Sequence, residues 1–150
     1  MIGAAILAPN RAEAADEENY IAGNYVAGSP RPEYCSNNDA YRQARALAAT
    51  MPGAFVMRGR GNSMLPLYRS GTLLVVRPVN YTELARGMSV VFEDEQRVIT
   101  HILVAKTGDG WRTTGLNNRR HDFVPVNAGN LRGVVVAAFT PLDGAIVSMR

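Results

Sequence analysis

Short apolar segments separated by Gly, Pro and Asn follow one another along the chain after Gly53. They are rich in β-branched residues, which is typical of strands in an antiparallel sheet or barrel. The pattern predicts seven strands, at residues 54–57, 72–76, 89–92, 98–105, 111–114, 133–139 and 145–149. Residues 106–110, Lys-Thr-Gly-Asp-Gly, lie between two of these segments and predict a hairpin turn. We therefore expect a mainly β domain.

One helix precedes the strands. Residues 36–39, Ser-Asn-Asn-Asp, offer several side chains that can cap a helix, and good helix formers follow them. Pro52 and Gly53 end the favourable run. The sequence predicts a helix near 38–50.

The N-terminal part of the chain has no sustained hydrophobic period. Residues 9–35 combine Pro, Gly, acidic and small residues, a composition typical of a tail or linker. Residues 1–8 are apolar but short, so a flexible tail and a truncated export or anchor segment both stay open. We expect a division into this tail at 1–35 and one folded domain at 36–150.

Composition supports a single ordinary globular domain. The 150 residues are 47% hydrophobic and 19% charged, and no run approaches the roughly 18 apolar residues of a membrane-spanning helix. Residues 1–50 carry a net charge of −2 and residues 51–150 a net charge of +5. The arginines at 58, 60, 69, 77, 86, 97 and 112 are spaced singly, and no aromatic ladder accompanies them, so we expect no nucleic-acid partner.

Metal and disulfide chemistry are both disfavoured by the residue counts. Cys35 is the single cysteine, and His101 and His121 are the only histidines. These three residues cannot assemble a zinc cluster of the Cys/His type or an intrachain disulfide. We expect neither a metal nor another cofactor.

The first candidate catalytic residue along the chain is Ser63. It lies in Gly61-Asn62-Ser63-Met64-Leu65-Pro66, where glycine and proline favour a short turn that displays a hydroxyl. Taken alone, the segment is far more typical of an ordinary turn serine, because turns favour these residue types. His101 lies within the apolar segment 98–105, where it needs a polar partner, and Asp122 in a later loop is a candidate to orient it.

These segments together resemble a known group of serine peptidases. Residues 61–66 are similar to the Ser-Met-x-Pro box of type I signal peptidases and their LexA-type relatives. Further boxes of that superfamily are matched in order, over roughly residues 53–140, at 71–76, 87–92, 101–104, 114–122 and 130–134. The resemblance implies a signal-peptidase/LexA-like β fold with a catalytic domain at 36–150.

The resemblance also implies roles for individual residues. Ser63 would be the nucleophile, His101 the general base and Asp122 the orienting acid, as in the endoplasmic-reticulum and archaeal type, because bacterial signal peptidases and LexA-type proteins use lysine as base. Asn62, Ser63, Met64 and Leu65 would supply the oxyanion hole and substrate contacts. The implied activity is cleavage of an extended peptide or preprotein after small residues, with an exported or membrane-associated location and peripheral membrane contact.

Several positions depart from the superfamily pattern. The acid of its three Gly-Asp boxes is replaced by Thr72, Met88 and Leu116, and Ile102 stands where the histidine is normally followed by arginine. A catalytically weak or inactive module that binds peptides or a partner protein is therefore the alternative function.

Two alternative bases are present, and we interpret Lys106 as a solvated turn lysine and His121 as a loop residue.

Overall fold

The structure is a computed structural model that describes residues 28–142. Within that range it contains seven strands, one α-helix and a short 3-10 helix. In chain order these are β1 (Glu33–Cys35), α1 (Asn37–Ala48), β2 (Phe55–Arg58), β3 (Leu73–Arg77), the 3-10 helix (Tyr81–Glu83), β4 (Ser89–Asp94), β5 (Arg97–Thr107), β6 (Gly110–Thr114) and β7 (Leu131–Pro141).

The mainly β fold predicted from the sequence is confirmed. Strands β2 to β7 each overlap one of the predicted apolar segments, because β-branched residues favour extended backbone. The predicted hairpin is also present, since β5 ends at Thr107 and β6 begins at Gly110. The predicted strand at 145–149 lies outside the described residues.

All the strands belong to one sheet. Its order is β2-β3-β7-β4-β5-β6, with every neighbouring pair antiparallel. The long strand β7 also pairs with β1, in parallel. It therefore holds together β1, β3 and β4, and it joins the half of the sheet that carries β2 to the half that carries β5.

The ordered domain begins earlier than the sequence predicts. Tyr34 of β1 pairs with Thr140 of β7, and the buried Ser29 hydroxyl lies 2.6 Å from the Ser89 hydroxyl. Tyr68 donates a hydrogen bond of 2.6 Å to the carbonyl of Pro30. The expected tail through residue 35 therefore does not hold for residues 28–35, because long-range contacts order a segment with no local period.

Helix α1 packs against one side of the sheet. Its cap is one of the predicted candidates, since Ser36 Oγ accepts a hydrogen bond of 3.1 Å from the backbone N–H of Asp39. The buried Ala40 and Ala44 contact a cluster that includes Phe139, and their small side chains let the helix approach the sheet closely. None of the helices within residues 28–142 has the length and apolar character needed to cross a bilayer.

Two further apolar clusters form the core on opposite faces of β5. Ile102 and Val104 belong to one cluster, together with Met64 and Leu116, whereas Leu103 belongs to the other. This alternation is the one expected of a strand, in which successive side chains point to opposite faces of the sheet. The first cluster lies beneath the loop that carries Ser63, so the core directly supports the candidate site.

A pair of buried threonines connects β3 to β7. The hydroxyls of Thr72 and Thr140 lie 2.8 Å apart, and both residues are almost completely inaccessible to solvent. Thr72 stands where the resembled superfamily has an acid. Its hydroxyl is satisfied by Thr140, whereas a lone carboxylate at this depth would be costly.

We predict that the two threonines are coupled in stability. Thr72→Val should lower the free energy of unfolding by about 1–3 kcal/mol, because the Thr140 hydroxyl is left buried without its partner. Adding Thr140→Val should recover much of that loss. Urea unfolding of the wild type, both single variants and the double variant tests this, and simple additivity of the two losses would contradict it.

Candidate active site

Ser63 lies in the compact turn that connects β2 to β3. The backbone N–H of Tyr68 donates to the carbonyl of Met64 at 2.9 Å, and that of Leu65 donates to the carbonyl of Asn62 at 3.2 Å. Met64 and Tyr68 are buried in the core. These hydrogen bonds and buried side chains fix the turn, while Ser63 itself stays partly accessible to solvent.

His101 extends from β5 toward this turn. Its Nε2 lies 3.1 Å from Ser63 Oγ, and the residue is only 7% exposed. Its backbone is held in the middle of the sheet by pairing with Val90 of β4. The imidazole is therefore positioned by a rigid strand rather than by a loop.

Asp122 occupies the other side of the imidazole. Its Oδ2 lies 2.6 Å from His101 Nδ1 and accepts a hydrogen bond of 2.7 Å from the Thr113 hydroxyl. The backbone N–H of Asp122 also donates to the carbonyl of Thr113, at 2.7 Å. These contacts fasten the loop that carries Asp122 to β6.

The hydrogen-bond partners assign the histidine tautomer. An ionised carboxylate only accepts hydrogen bonds, so the proton between Asp122 and His101 lies on Nδ1. In the neutral ring Nε2 then carries a lone pair and can accept the hydrogen of the Ser63 hydroxyl. The arrangement is chemically suited to remove a proton from a serine and to stabilise the imidazolium that forms.

The structure thus brings Ser63, His101 and Asp122 together although 59 residues separate the first from the last. Asn62, Met64 and Leu65 occupy the same turn. Met64 lines the groove beside Ser63 as well as packing in the core, and Asn62 holds the turn through its carbonyl.

The two alternative bases lie elsewhere. Lys106 is exposed near the end of β5, and its ammonium lies 5.7 Å from the centre of the Tyr81 ring. His121 is exposed, and its Nδ1 lies 3.3 Å from the backbone carbonyl of Asp122. Neither residue lines the groove at Ser63.

Three residues that support the site have no predicted role. Thr113 holds Asp122, the backbone N–H of Asn117 donates to the Ser63 carbonyl at 2.8 Å, and Asn117 Nδ2 donates to the Asn62 carbonyl at 3.1 Å. Gly115 lies directly against Ser63. Gly115 and Asn117 belong to the matched box 114–122, a signal that points to them, whereas nothing local distinguishes Thr113 from other strand threonines.

The other two missing acids of the superfamily pattern correspond to apolar positions here. Leu116 is buried in the core cluster that contains Met64, and Met88 packs against the cluster on the opposite face. A carboxylate at Leu116 would have to be desolvated. The Thr113 hydroxyl, rather than a second carboxylate, supports Asp122 in this structure.

A groove of about 590 Å³ passes over the site. Its walls are β2 with the residues that follow it and the first half of β5, and Ser63 and His101 open into it. The Met57 sulfur and the Thr100 hydroxyl lie 4.0 Å apart between these walls. Such a volume is within the range of ligand-binding clefts.

We predict that Gly115 is needed to accommodate Ser63. A Cβ at Gly115 would lie 2.6 Å from the Ser63 carbonyl oxygen and 2.9 Å from Ser63 Cβ. Gly115→Ala should therefore lower the free energy of unfolding by about 1–3 kcal/mol through overpacking. Gly108→Ala is the matched control, because the space around Gly108 is open. Thermal unfolding compares the variants, and equal melting temperatures would refute the prediction.

Comparison with protein families adds to this geometry. The family model described as Peptidase S24-like matches residues 19–136, which is more than half of the chain. Neither curated proteins nor solved structures give a significant match. The match agrees with the resemblance found in the sequence and carries serine peptidase-type function. The chain belongs to the Peptidase S24-like family, within the LexA/signal peptidase-like superfamily of serine peptidases.

Proposed function

We propose that this protein is a serine endopeptidase of the signal peptidase type, in which Ser63 is the nucleophile, His101 the general base and Asp122 the orienting acid. The observation that carries the proposal is the continuous chain of hydrogen bonds from Thr113 through Asp122 and His101 to Ser63, which ends in an open groove.

Acylation follows from this chain. Ser63 Oγ attacks the carbonyl carbon of the scissile peptide bond while its proton moves to His101 Nε2. The resulting imidazolium is stabilised by the carboxylate of Asp122. His101 then returns the proton to the leaving nitrogen, the C–N bond breaks, and the acyl group stays on Ser63 as an ester.

Hydrolysis of the ester repeats the same steps with water. His101 takes a proton from the attacking water, and the proton is returned to Ser63 Oγ as the ester bond breaks. The backbone N–H of Ser63, with help from the turn at Asn62, is the proposed donor to the oxyanion. Loss of such a donor typically lowers kcat by ~10²–10³-fold.

Two strand edges are proposed to hold the substrate. Among the described strands β2 pairs only with β3, and the β6 ladder on β5 begins at Ile102. One edge of β2 and one edge of residues 97–101 are thus free to bind an extended peptide by β-augmentation, and both segments line the groove. A preprotein segment cleaved after a small residue suits this arrangement, with export or peripheral membrane association as the corresponding setting.

We predict that Ser63→Ala and His101→Ala each lower kcat/KM on an alanine-containing peptide by ~10⁴–10⁶-fold, because the nucleophile and its base act as a unit. Melting temperatures should remain close to that of the wild type for Ser63→Ala. Lys106→Ala is the control and should retain activity. Cleavage products resolved by mass spectrometry provide the measurement.

The same variants separate catalysis from simple binding. A wild type that binds peptides without cleaving them would support the non-catalytic module instead. Activity that survives His101→Ala but is lost in Lys106→Ala would assign the base to lysine.

We further predict that Thr113 positions the carboxylate. Thr113→Val should lower kcat by ~10–100-fold with little change in KM, since a hydrogen bond to a charged group contributes about 1.5–3 kcal/mol. Thr113→Ser retains the hydroxyl and should restore most of the rate. A purely structural role would show equal losses of stability and activity in both variants.

A further inference from the structure

Four arginines line the groove at Ser63. Arg58 and Arg60 precede the serine on one wall, Arg97 begins β5 on the other wall, and Arg69 follows the serine turn. They come from three separate segments of the chain, so only the fold brings their charges together.

The partners of these arginines leave their charges uncompensated. Arg58 donates to the Gly71 carbonyl and to the Tyr41 hydroxyl. Arg69 donates to the Pro141 carbonyl at 3.0 Å. These acceptors are neutral, so they orient each guanidinium without cancelling its charge.

The guanidinium groups of Arg60 and Arg97 are less constrained than those of Arg58 and Arg69. Both are exposed, and within residues 28–142 none of the four groove arginines forms an ion pair. Asp94 is the register partner of Arg97 across the β4–β5 ladder, yet no ion pair joins them.

The contrast with other surface arginines is informative. Arg42 pairs with Asp39 on α1, and Arg132 pairs with Glu93. Among the described residues that line the groove, the only carboxylate is that of Asp122, which is engaged by His101 and Thr113. Among the described residues, the groove lining therefore has four arginines and no free carboxylate.

We propose that the peptide segment that binds across Ser63 is acidic, with Glu or Asp side chains that pair with Arg60, Arg97 and their two neighbours. This inference rests on the proposed function for the position of the substrate. An extended peptide places a side chain toward the same face every second residue, which suits carboxylates on either side of the small residue. A groove lined by one sign of charge also attracts opposite charge before contact.

The proposal is tested with matched peptides. Quenched fluorescent peptides contain one Ala-Ala pair in a Gly/Ser background, and two flanking positions hold Glu, Gln or Lys, scanned over positions two to five on each side. We expect the best Glu peptide to have a kcat/KM ~3–10-fold above its Gln counterpart, and the Lys peptide to be poorest. The advantage of the Glu peptide over the Gln peptide should shrink in ~0.5 M NaCl, since salt screens exposed charges.

A double variant assigns the preference to the groove. Arg60→Gln with Arg97→Gln should bring the Glu/Gln ratio close to one. Arg42→Gln with Arg132→Gln removes the same number of positive charges outside the groove and should leave the ratio unchanged. If the Glu/Gln ratio of kcat/KM falls equally in both variants, the preference follows the net charge of the protein rather than the groove, and the proposal is overturned.

Binding provides a readout that does not require catalysis. Fluorescence anisotropy of the same peptides, labelled, on Ser63→Ala should show the same order of Glu, Gln and Lys. If no peptide is cleaved but Glu peptides still bind best, the peptidase proposal fails and the acidic preference stands. Equal affinities for Glu and Gln peptides, or a single-stranded oligonucleotide that displaces the Glu peptide at lower concentration, would overturn the acidic-peptide assignment.

Discussion

The buried imidazole of His101 is the constraint on which the geometry of this site depends. A ring in an otherwise apolar strand must find hydrogen-bond partners for both nitrogens. Asp122 and Ser63 provide them from two different loops, at 2.6 and 3.1 Å. Thr113 and Asn117 in turn hold these two loops. The need of one imidazole for two hydrogen-bond partners therefore determines the contacts of four polar residues.

The sheet determines what surrounds this chain of hydrogen bonds. Strand β7 joins β1, β3 and β4, and so holds β2 and β5 as the two walls of one groove. Because the β6 ladder covers only the second half of β5, the first half of β5 has no partner strand within residues 28–142 on the edge away from β4. Strand β5 therefore provides both a rigid support for His101, the proposed base, and a proposed surface for an extended peptide.

Loss of the superfamily acids has a physical explanation in this chain. The hydroxyls of Thr72 and Thr140 share one hydrogen bond in the core, and Leu116 contributes apolar surface beneath the serine turn. Neither position faces water in a way that would favour a carboxylate. The described residues that line the groove include four arginines, two of which, Arg58 and Arg69, are oriented by neutral acceptors.

The sequence by itself determined the elements of the fold and the residue types of the site. Short apolar segments rich in β-branched residues predict β2 to β7, Ser36 and its neighbours predict α1, and the ordered boxes point to Ser63, His101 and Asp122 as candidate catalytic residues. Only the tertiary structure decided that β1 belongs to the sheet, that Thr113 holds Asp122 and that four arginines share one groove. These features depend on contacts between residues far apart in the chain, and local propensity contains no information about such contacts.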